Sequence, residues 1–214
     1  MPRIAKRTGT YHHGDLRRVL LETAVRVVEH EGLAALSLQA LTRRAGVSSG
    51  APYHHFPSRD HLLIAIADQG FELMVVEMRR ALDDAGDDAA ARLRALGLGY
   101  IRFAVAHRGH FRVMFRPELQ AELANPSNEK GGSAFAMLRD AILRCQSEGL
   151  APPGDPLPLI LAAWTCVHGA STLWIDGSLG NKRLVADEET LATMVAGTIT
   201  HLITAQCSTD RASK

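Results

Sequence analysis

The chain has 214 residues, of which 46% are hydrophobic, and a formal net charge of +1. This composition suffices for a real core in one large domain or in two smaller ones. No stretch approaches the ~18 consecutive apolar residues of a membrane span, and the N-terminus lacks the apolar core of a signal peptide, so we expect a soluble, cytoplasmic protein with no membrane partner.

The charge is unevenly distributed along the chain. Residues 1–60 contain nine Lys and Arg against five Asp and Glu, a net +4, whereas residues 61–214 contain fifteen against eighteen, a net −3. A basic N-terminal part suits contact with nucleic-acid phosphates. Residues 1–13, which include Lys6 and Arg7, are either a flexible basic arm that follows the DNA backbone or minor groove, or a disordered solubilising tail.

The first predicted helix covers 15–31 and has Gly32 as its stop. Residues 37–56 then predict two short helices joined by a turn that contains a glycine. This is the layout of a helix-turn-helix, in which the second helix enters the major groove of DNA. In the first helix of the pair we expect Ser37 as the N-cap and Gly46 as a left-handed residue after the last turn.

The second helix of the pair is expected to be short. With Ser49 as its N-cap, Pro52 takes the third helical position, where its missing N–H has no intrahelical carbonyl to meet. Small residues before the proline allow a close approach to phosphates, and Phe56 is expected to turn into the core. Seven residues of the two helices and their turn are expected to contact DNA: Gln39, Arg43, Ser48, Ser49, Gly50, Tyr53 and His54.

The run at 45–60, Ala-Gly-Val-Ser-Ser-Gly-Ala-Pro-Tyr-His-His-Phe-Pro-Ser-Arg-Asp, resembles the signature of TetR-family transcriptional regulators, over roughly 11–69. The resemblance implies a dimer whose N-terminal three-helix domains bind DNA and whose helical C-terminal domain binds a small effector and forms the dimer. Two positions depart from the pattern: Pro52 stands where members often have Leu, and Pro57 where they often have Lys. The second change removes a possible phosphate contact, which Arg59 could take over.

Six further helices are predicted downstream, which makes about nine helices, no strand and an all-α fold class. A long helix after Ser58, ending near residue 83, connects two domains, and the others cover 89–107, 110–115, 127–148, 158–176 and 187–206. Gly149 is expected to end the helix at 127–148 as a left-handed residue. We expect a basic arm at 1–13, a helix-turn-helix domain at 14–74, a ligand-binding and dimerisation domain at 75–207, and a tail at 208–214.

Small residues in the predicted helices need an explanation. Gly97 and Gly99 each cost a helix about 1 kcal/mol relative to Ala, so they indicate either close approach of another helix or space for a ligand. In the last two helices, small residues alternate with apolar ones, which favours an antiparallel hairpin that pairs with its copy in a four-helix homodimer interface. The stretch from Trp164 to Gly169 resembles the Trp-x-x-x-His-Gly (WHG) pattern of one class of TetR-family C-terminal domains.

An effector site is expected among the helices that follow the helix-turn-helix. Their apolar and aromatic side chains predict an apolar or aromatic small molecule. His168 lies one turn after Trp164, and is either a ligand-binding group or a buried histidine satisfied by hydrogen bonds. The candidate ligand-binding residues, any of which could instead be core, are Phe71, Met74, Phe103, Phe111, Met114, Phe135, Leu138, Trp164 and His168.

Motifs of enzymes and metal sites are missing from the sequence. It contains no G-x-S-x-G, H-E-x-x-H, P-loop or dinucleotide pattern, and no carboxylate lies at a ligand-like spacing beside His107 and His110. We therefore predict no catalytic residue, no metal and no cofactor. Cys145, Cys166 and Cys207 are too far apart for a metal-ligand pair, and are either buried structural thiols or redox sensors.

Two functions follow from these observations. The first is a dimeric, sequence-specific transcriptional regulator, by default a repressor, that binds a pseudo-palindromic double-stranded operator and is released by its effector. The alternative is a small helical ligand carrier or enzyme without a DNA-binding function. Specific DNA affinity that falls steeply with salt would support the first, and turnover of a bound compound the second.

Overall fold

The structure is a computed structural model, and it describes residues 13–119 and 130–211. Over these ranges the chain forms α-helices and short 3-10 helices without a strand, which confirms the all-α class. The eight α-helices are α1 (His13–Glu31), α2 (Leu38–Ala45), α3 (Arg59–Asp83), α4 (Ala89–Ala106), α5 (Arg108–Met114), α6 (Lys130–Ser147), α7 (Leu157–Ile175) and α8 (Glu188–Arg211). The three 3-10 helices are η1 (Leu33–Ala35), η2 (Ala51–His54) and η3 (Pro117–Leu119).

Packing divides the chain into an N-terminal unit, 1–66, and a C-terminal unit, 67–214, and the division falls within α3. The domain limits expected from the sequence, 14–74 and 75–207, stay predictions. Lys6 and Arg7 of the candidate arm lie outside the described residues.

In the N-terminal unit, α1 packs against η1 and α2, and α2 against η2. Two predicted caps of α2 are confirmed: the Ser37 hydroxyl accepts the Ala40 N–H at 3.1 Å, and Gly46 is left-handed with φ of 66°. The core that these elements enclose is apolar and includes Leu20, Ala24, Val28, Leu41 and Phe56. The expected inward turn of Phe56 is therefore confirmed.

The second element of the helix-turn-helix differs from its prediction. It is the four-residue 3-10 helix η2, in which Gly50 rather than Ser49 is the N-cap and Pro52 is the second residue rather than the third. Pro52 is compatible with the first turn of an α-helix, but Pro57 disfavours helical backbone at the residue before it and so limits the segment to one turn. The segment therefore tightens into bonds over three residues, such as Tyr53 N–H to the Gly50 carbonyl at 3.2 Å. This change reduces the nine expected helices to eight in the described ranges.

In the C-terminal unit, α4 is the central helix and packs against α6, α7 and α8. Asp88 caps α4 by accepting the Ala91 N–H at 2.6 Å, and Gly149, with φ of 69°, ends α6 as predicted. Between these four helices lies a core that includes Leu93, Ile142, Cys145, Ile160 and Ile203. Cys145 is thus a buried thiol as expected, whereas Cys166 is exposed, and the same prediction is wrong for it.

Gly97 and Gly99 lie where α4 meets its neighbours. A Cβ atom at Gly99 would be 2.9 Å from the Met78 Cα on α3, and one at Gly97 would be 3.0 Å from the Ala196 Cβ on α8. A Cβ at Gly99 would force the facing backbone to shift, and a Cβ at Gly97 would be closer to Ala196 than an ordinary contact. Close helix approach, the first of the two explanations, is therefore confirmed.

Among the described residues, α7 is the one helix whose length and composition would allow it to cross a membrane. This is weak support for a membrane span, because a core helix of a soluble protein passes the same criteria. Only 28% of its apolar window is buried, so much of α7 lies on the surface of the single chain. The expectation of no membrane partner stays a prediction.

Candidate DNA-binding surface and effector site

The residues expected to contact DNA lie on α2, on η2 and in the turn between them, and they form the candidate DNA-binding surface. Tyr53 is 53% exposed while the adjacent Pro52 is buried, so η2 holds its proline ring against the unit and presents the phenol outward. All seven are exposed: Gln39, Arg43, Ser48, Ser49, Gly50, Tyr53 and His54. The apolar residues between them, among them Leu41, supply the scaffold.

Two adjacent arginines at the end of α2 have different surroundings. Arg44 forms a two-pronged ion pair with Glu31 at the end of α1, with N–O distances of 2.5 and 2.6 Å. This pair lowers the pKa of Glu31 and raises that of Arg44. Arg43 is exposed and makes no ion pair within the described part of the chain. Of the two guanidinium groups, that of Arg44 is therefore held by a carboxylate and that of Arg43 is not.

Arg59, suggested as a substitute phosphate ligand, bonds to its own unit. Its Nε donates to the Leu36 carbonyl at 3.0 Å and its Nη2 to the Leu33 carbonyl at 3.1 Å. The side chain thereby ties the start of α3 to η1 and to the residue that follows η1. Because these donors already have partners, we assign Arg59 to the fold of the unit and leave it out of the candidate DNA-binding surface.

In the C-terminal unit, rings from α3, α4, α5, α6 and α7, together with that of Phe115 directly after α5, meet in an aromatic cluster. The His168 ring lies near its centre, with its centroid 4.6 Å from that of Phe115 and 5.2 Å from that of Phe111. The cluster consists of Phe71, Tyr100, Phe111, Phe115, Phe135, Trp164 and His168. Five of these are among the expected ligand-binding residues. The sequence prediction left out Tyr100 and Phe115, although each lies three or four positions from an aromatic residue that it included.

The other four expected ligand-binding residues are not brought into this cluster. Phe103 is fully buried and pairs with His107 at a centroid distance of 5.3 Å. Met74 and Met114 are buried, and Leu138 packs against the core between α4, α6, α7 and α8. Their surroundings are those of core side chains.

A polar pair lies inside the aromatic cluster. Tyr100 is 5% exposed, and its hydroxyl oxygen lies 2.8 Å from Nδ1 of His168, which is half-buried. Burial raises the pKa of Tyr100 and lowers the pKa of His168, so neither side chain is charged at neutral pH. Of the two interpretations of His168, the hydrogen-bonded one is confirmed at Nδ1, and the ligand-binding one stays a prediction.

Two histidines lie at the start of α5, where His107 is the N-cap and His110 is the third residue. His110 is 8% exposed, and its Nε2 is 3.1 Å from the Gln69 side-chain oxygen on α3. Burial, and then the nearby His107, lower the pKa of His110 to about 4. Among the described residues no group of three or more His, Cys, Asp or Glu is placed to hold a metal ion.

A groove on the C-terminal unit is polar rather than apolar. It has a volume of about 390 Å³ and is lined by Glu77, Arg80, Ala81, Asp84, Arg102 and Glu189. Arg102 and Glu189 form an ion pair across it, with an Nε–Oε2 distance of 2.9 Å. None of the expected ligand-binding residues lines this groove.

Two family models match the chain. Residues 20–66 match the one described as bacterial regulatory proteins, tetR family, and residues 93–198 match the one described as tetracyclin repressor-like, C-terminal domain. The first range contains the helix-turn-helix, and the second contains most of the aromatic cluster. Neither match tests the Trp-x-x-x-His-Gly resemblance, which stays a prediction.

Individual proteins are similar to parts or all of the chain. HTH-type transcriptional regulator BetI of Rhizobium meliloti (strain 1021) is 32% identical over 106 residues, 49% of this chain and 47% of that protein. HTH-type transcriptional repressor KstR of Mycolicibacterium smegmatis is 29% identical over 73 residues, 34% of this chain and 36% of that protein. The chain thus spans about half the length, or less, of these curated relatives. A solved structure of a protein of unknown function from Rhodococcus sp. RHA1 is 34% identical, with a TM-score of 0.74, and covers 91% of this chain and 98% of its own.

Proposed function

The chain belongs to the TetR family of bacterial regulatory proteins, and from this premise we propose that it is a dimeric, sequence-specific DNA-binding repressor whose effector lowers its affinity for the operator. The observation that carries the proposal is the candidate DNA-binding surface, a set of polar and aromatic side chains exposed over a buried apolar scaffold. The relative KstR is named a transcriptional repressor, and this supports the sign of regulation.

The residues of this surface divide between two kinds of contact. Arg43 is suited to a phosphate, because its charge has no partner within the described residues, and Ser48 and Ser49 offer hydroxyls at the turn. Gln39 on α2 and Tyr53 on η2 are suited to base edges. Since η2 is only four residues long, we propose that α2 contributes to the reading of sequence along with it.

Exposed apolar residues of α7 and α8 support the homodimer. Leu157 and Leu161 lie one turn apart on α7, and Met194 and Leu202 lie two turns apart on α8, and all four are exposed. We propose that these stripes pair with the same stripes of a second chain, in an isologous interface of four helices. We also propose that the protein is cytoplasmic. The interface would then shield the apolar face of α7 from water.

For the effector, we propose the aromatic cluster as the binding site. Its rings provide apolar and aromatic surface, and several of them, including Phe71, Phe115 and Trp164, are only partly buried. In one conformation of the dimer, the separation of the two DNA-binding units does not match the operator. An effector that binds more tightly to this conformation shifts the protein toward it and so releases the DNA.

The test is a double substitution, Arg43→Ala with Tyr53→Ala, in protein bound to a DNA site selected from random duplexes. We expect the operator affinity to fall about 10- to 100-fold, and the slope of log affinity against log salt to decrease by about one, because a phosphate contact and a base-edge contact are lost. Arg94→Ala, at an exposed position of α4, is the matched control and should leave both quantities unchanged. Unchanged affinity of the double variant would refute the surface, and failure to select any DNA site would favour the ligand carrier or enzyme.

A further inference from the structure

The Tyr100 hydroxyl fixes the protonation of His168. This hydroxyl is buried, so its proton needs an acceptor, and Nδ1 of His168 at 2.8 Å provides one. Nδ1 therefore accepts, and the neutral ring carries its proton on Nε2.

The Nε2–H of His168 has no protein partner among the described residues. Only one side-chain nitrogen or oxygen in those residues is both buried and unpartnered, and it is Nδ1 of His110. Nε2 of His168 is a different case, because the His168 side chain is only half-buried. The outcome is a hydrogen-bond donor of fixed position, set among the rings of Phe111, Phe115 and Trp164.

The wall around this donor suits a flat apolar body. Phe115 meets the His168 ring edge-to-face, with an interplanar angle of 76°, and Phe135 meets Trp164 at 84°. Phe135 is 40% exposed although it is a large aromatic residue, so part of the cluster faces solvent. A ligand that stacks on these rings would cover aromatic surface that is exposed to solvent in the single chain.

We propose that the effector is an apolar or aromatic molecule with one hydrogen-bond acceptor, such as a carbonyl oxygen, and that Nε2–H of His168 donates to this acceptor. Tyr100 acts as a positioning residue, because it holds the imidazole in the tautomer that donates. This inference rests on the proposed function, since it names the chemical class of the effector at the same site.

The test compares two probes of nearly the same shape, 2-acetylnaphthalene and 2-isopropenylnaphthalene, which differ only in a C=O in place of a C=CH₂. Calorimetric titration of the full chain without DNA is expected to show the ketone binding about 5- to 10-fold more tightly. Both His168→Phe and Tyr100→Phe should reduce this preference to less than about 2-fold, the first by removing the donor and the second by freeing the tautomer. His30→Phe, at an exposed position of α1, is the control and should keep the preference.

A second readout follows the imidazole itself and does not depend on any probe. The ¹⁵N chemical shifts of His168 should show a protonated Nε2 and an unprotonated Nδ1 in the wild-type protein, and a mixture of tautomers in Tyr100→Phe. Equal affinity for the two probes, no binding of either up to its solubility limit, or a protonated Nδ1 would overturn the proposal.

The same titrations on the operator complex separate this inference from the proposed function. Ketone preference without release of DNA would leave the inference standing and contradict the effector response. Operator binding that depends on Arg43 and Tyr53, with no ketone preference, would contradict the inference alone.

Discussion

Three arginines of the N-terminal unit have the same side chain and different surroundings. Arg44 is held by Glu31, Arg59 by the carbonyls of Leu33 and Leu36, and Arg43 by no ion pair in the described ranges. The sequence predicts that Arg43 and Arg44 face outward, because both lie opposite the apolar stripe of α2. It could not predict the partner of Arg59, which lies more than twenty positions earlier in the chain and is reached only after the unit has folded.

We predict the effect of Arg59→Met, a substitution that keeps much of the side-chain volume and removes the guanidinium N–H donors. The free energy of unfolding should fall by about 1–3 kcal/mol, because two carbonyls lose a charged partner. Urea denaturation of the full chain measures this, with Arg26→Met at an exposed position of α1 as the control, expected within about 0.5 kcal/mol of the wild type. Unchanged stability together with a smaller salt slope for operator binding would instead make Arg59 a phosphate ligand.

Helix ends were predictable from the sequence where the chemistry is local. Ser37, Gly46 and Gly149 act within a few residues of themselves, through an N-cap hydroxyl or a left-handed backbone, and each has its expected place. The form of η2 was less predictable, since one proline is compatible with the first turn of an α-helix. The second proline, Pro57, and the burial of the Pro52 ring decide in favour of the 3-10 form.

The aromatic cluster shows where prediction from sequence ends. The sequence pattern of each individual helix was enough to propose Phe111, Trp164 and His168 as candidate ligand-binding residues. That step does not require knowledge of the fold. The bond between Tyr100 and His168 joins residues of two helices, and these residues are 68 positions apart in the sequence. Such a pair is determined by packing and not by any local pattern.

Helix packing leads to a prediction about α4. Gly99→Ala should lower the free energy of unfolding by about 1–3 kcal/mol, because its new Cβ would meet the backbone of α3 at Met78 and Glu77. Gly197→Ala on α8 is the matched control, since the nearest atom to its Cβ would be the flexible Arg94 side chain at 3.9 Å. This control should gain up to about 1 kcal/mol from helix propensity. Equal effects of the two substitutions in urea denaturation would contradict the close contact.

For the whole molecule, the distribution of charge matches the division of tasks that we propose. The basic residues 1–60 contain the candidate DNA-binding surface, and the acidic remainder contains the aromatic cluster and the exposed stripes of α7 and α8. A single copy of the surface, built on one short α-helix and one turn of 3-10 helix, reads few base pairs. The proposed homodimer supplies the second copy and fixes the separation between the two.

The most direct measurement is the affinity of the full chain for its selected DNA site as the spacing between the two half-sites is varied. A dimeric reader should bind most tightly, with two chains per duplex, when the half-site centres are about 10 to 10.5 base pairs apart or at a whole multiple of that distance. Insertion of about half a helical turn should weaken binding strongly, because the two surfaces then face different sides of the duplex. Affinity that does not depend on the spacing, or one chain bound per site, would contradict the account.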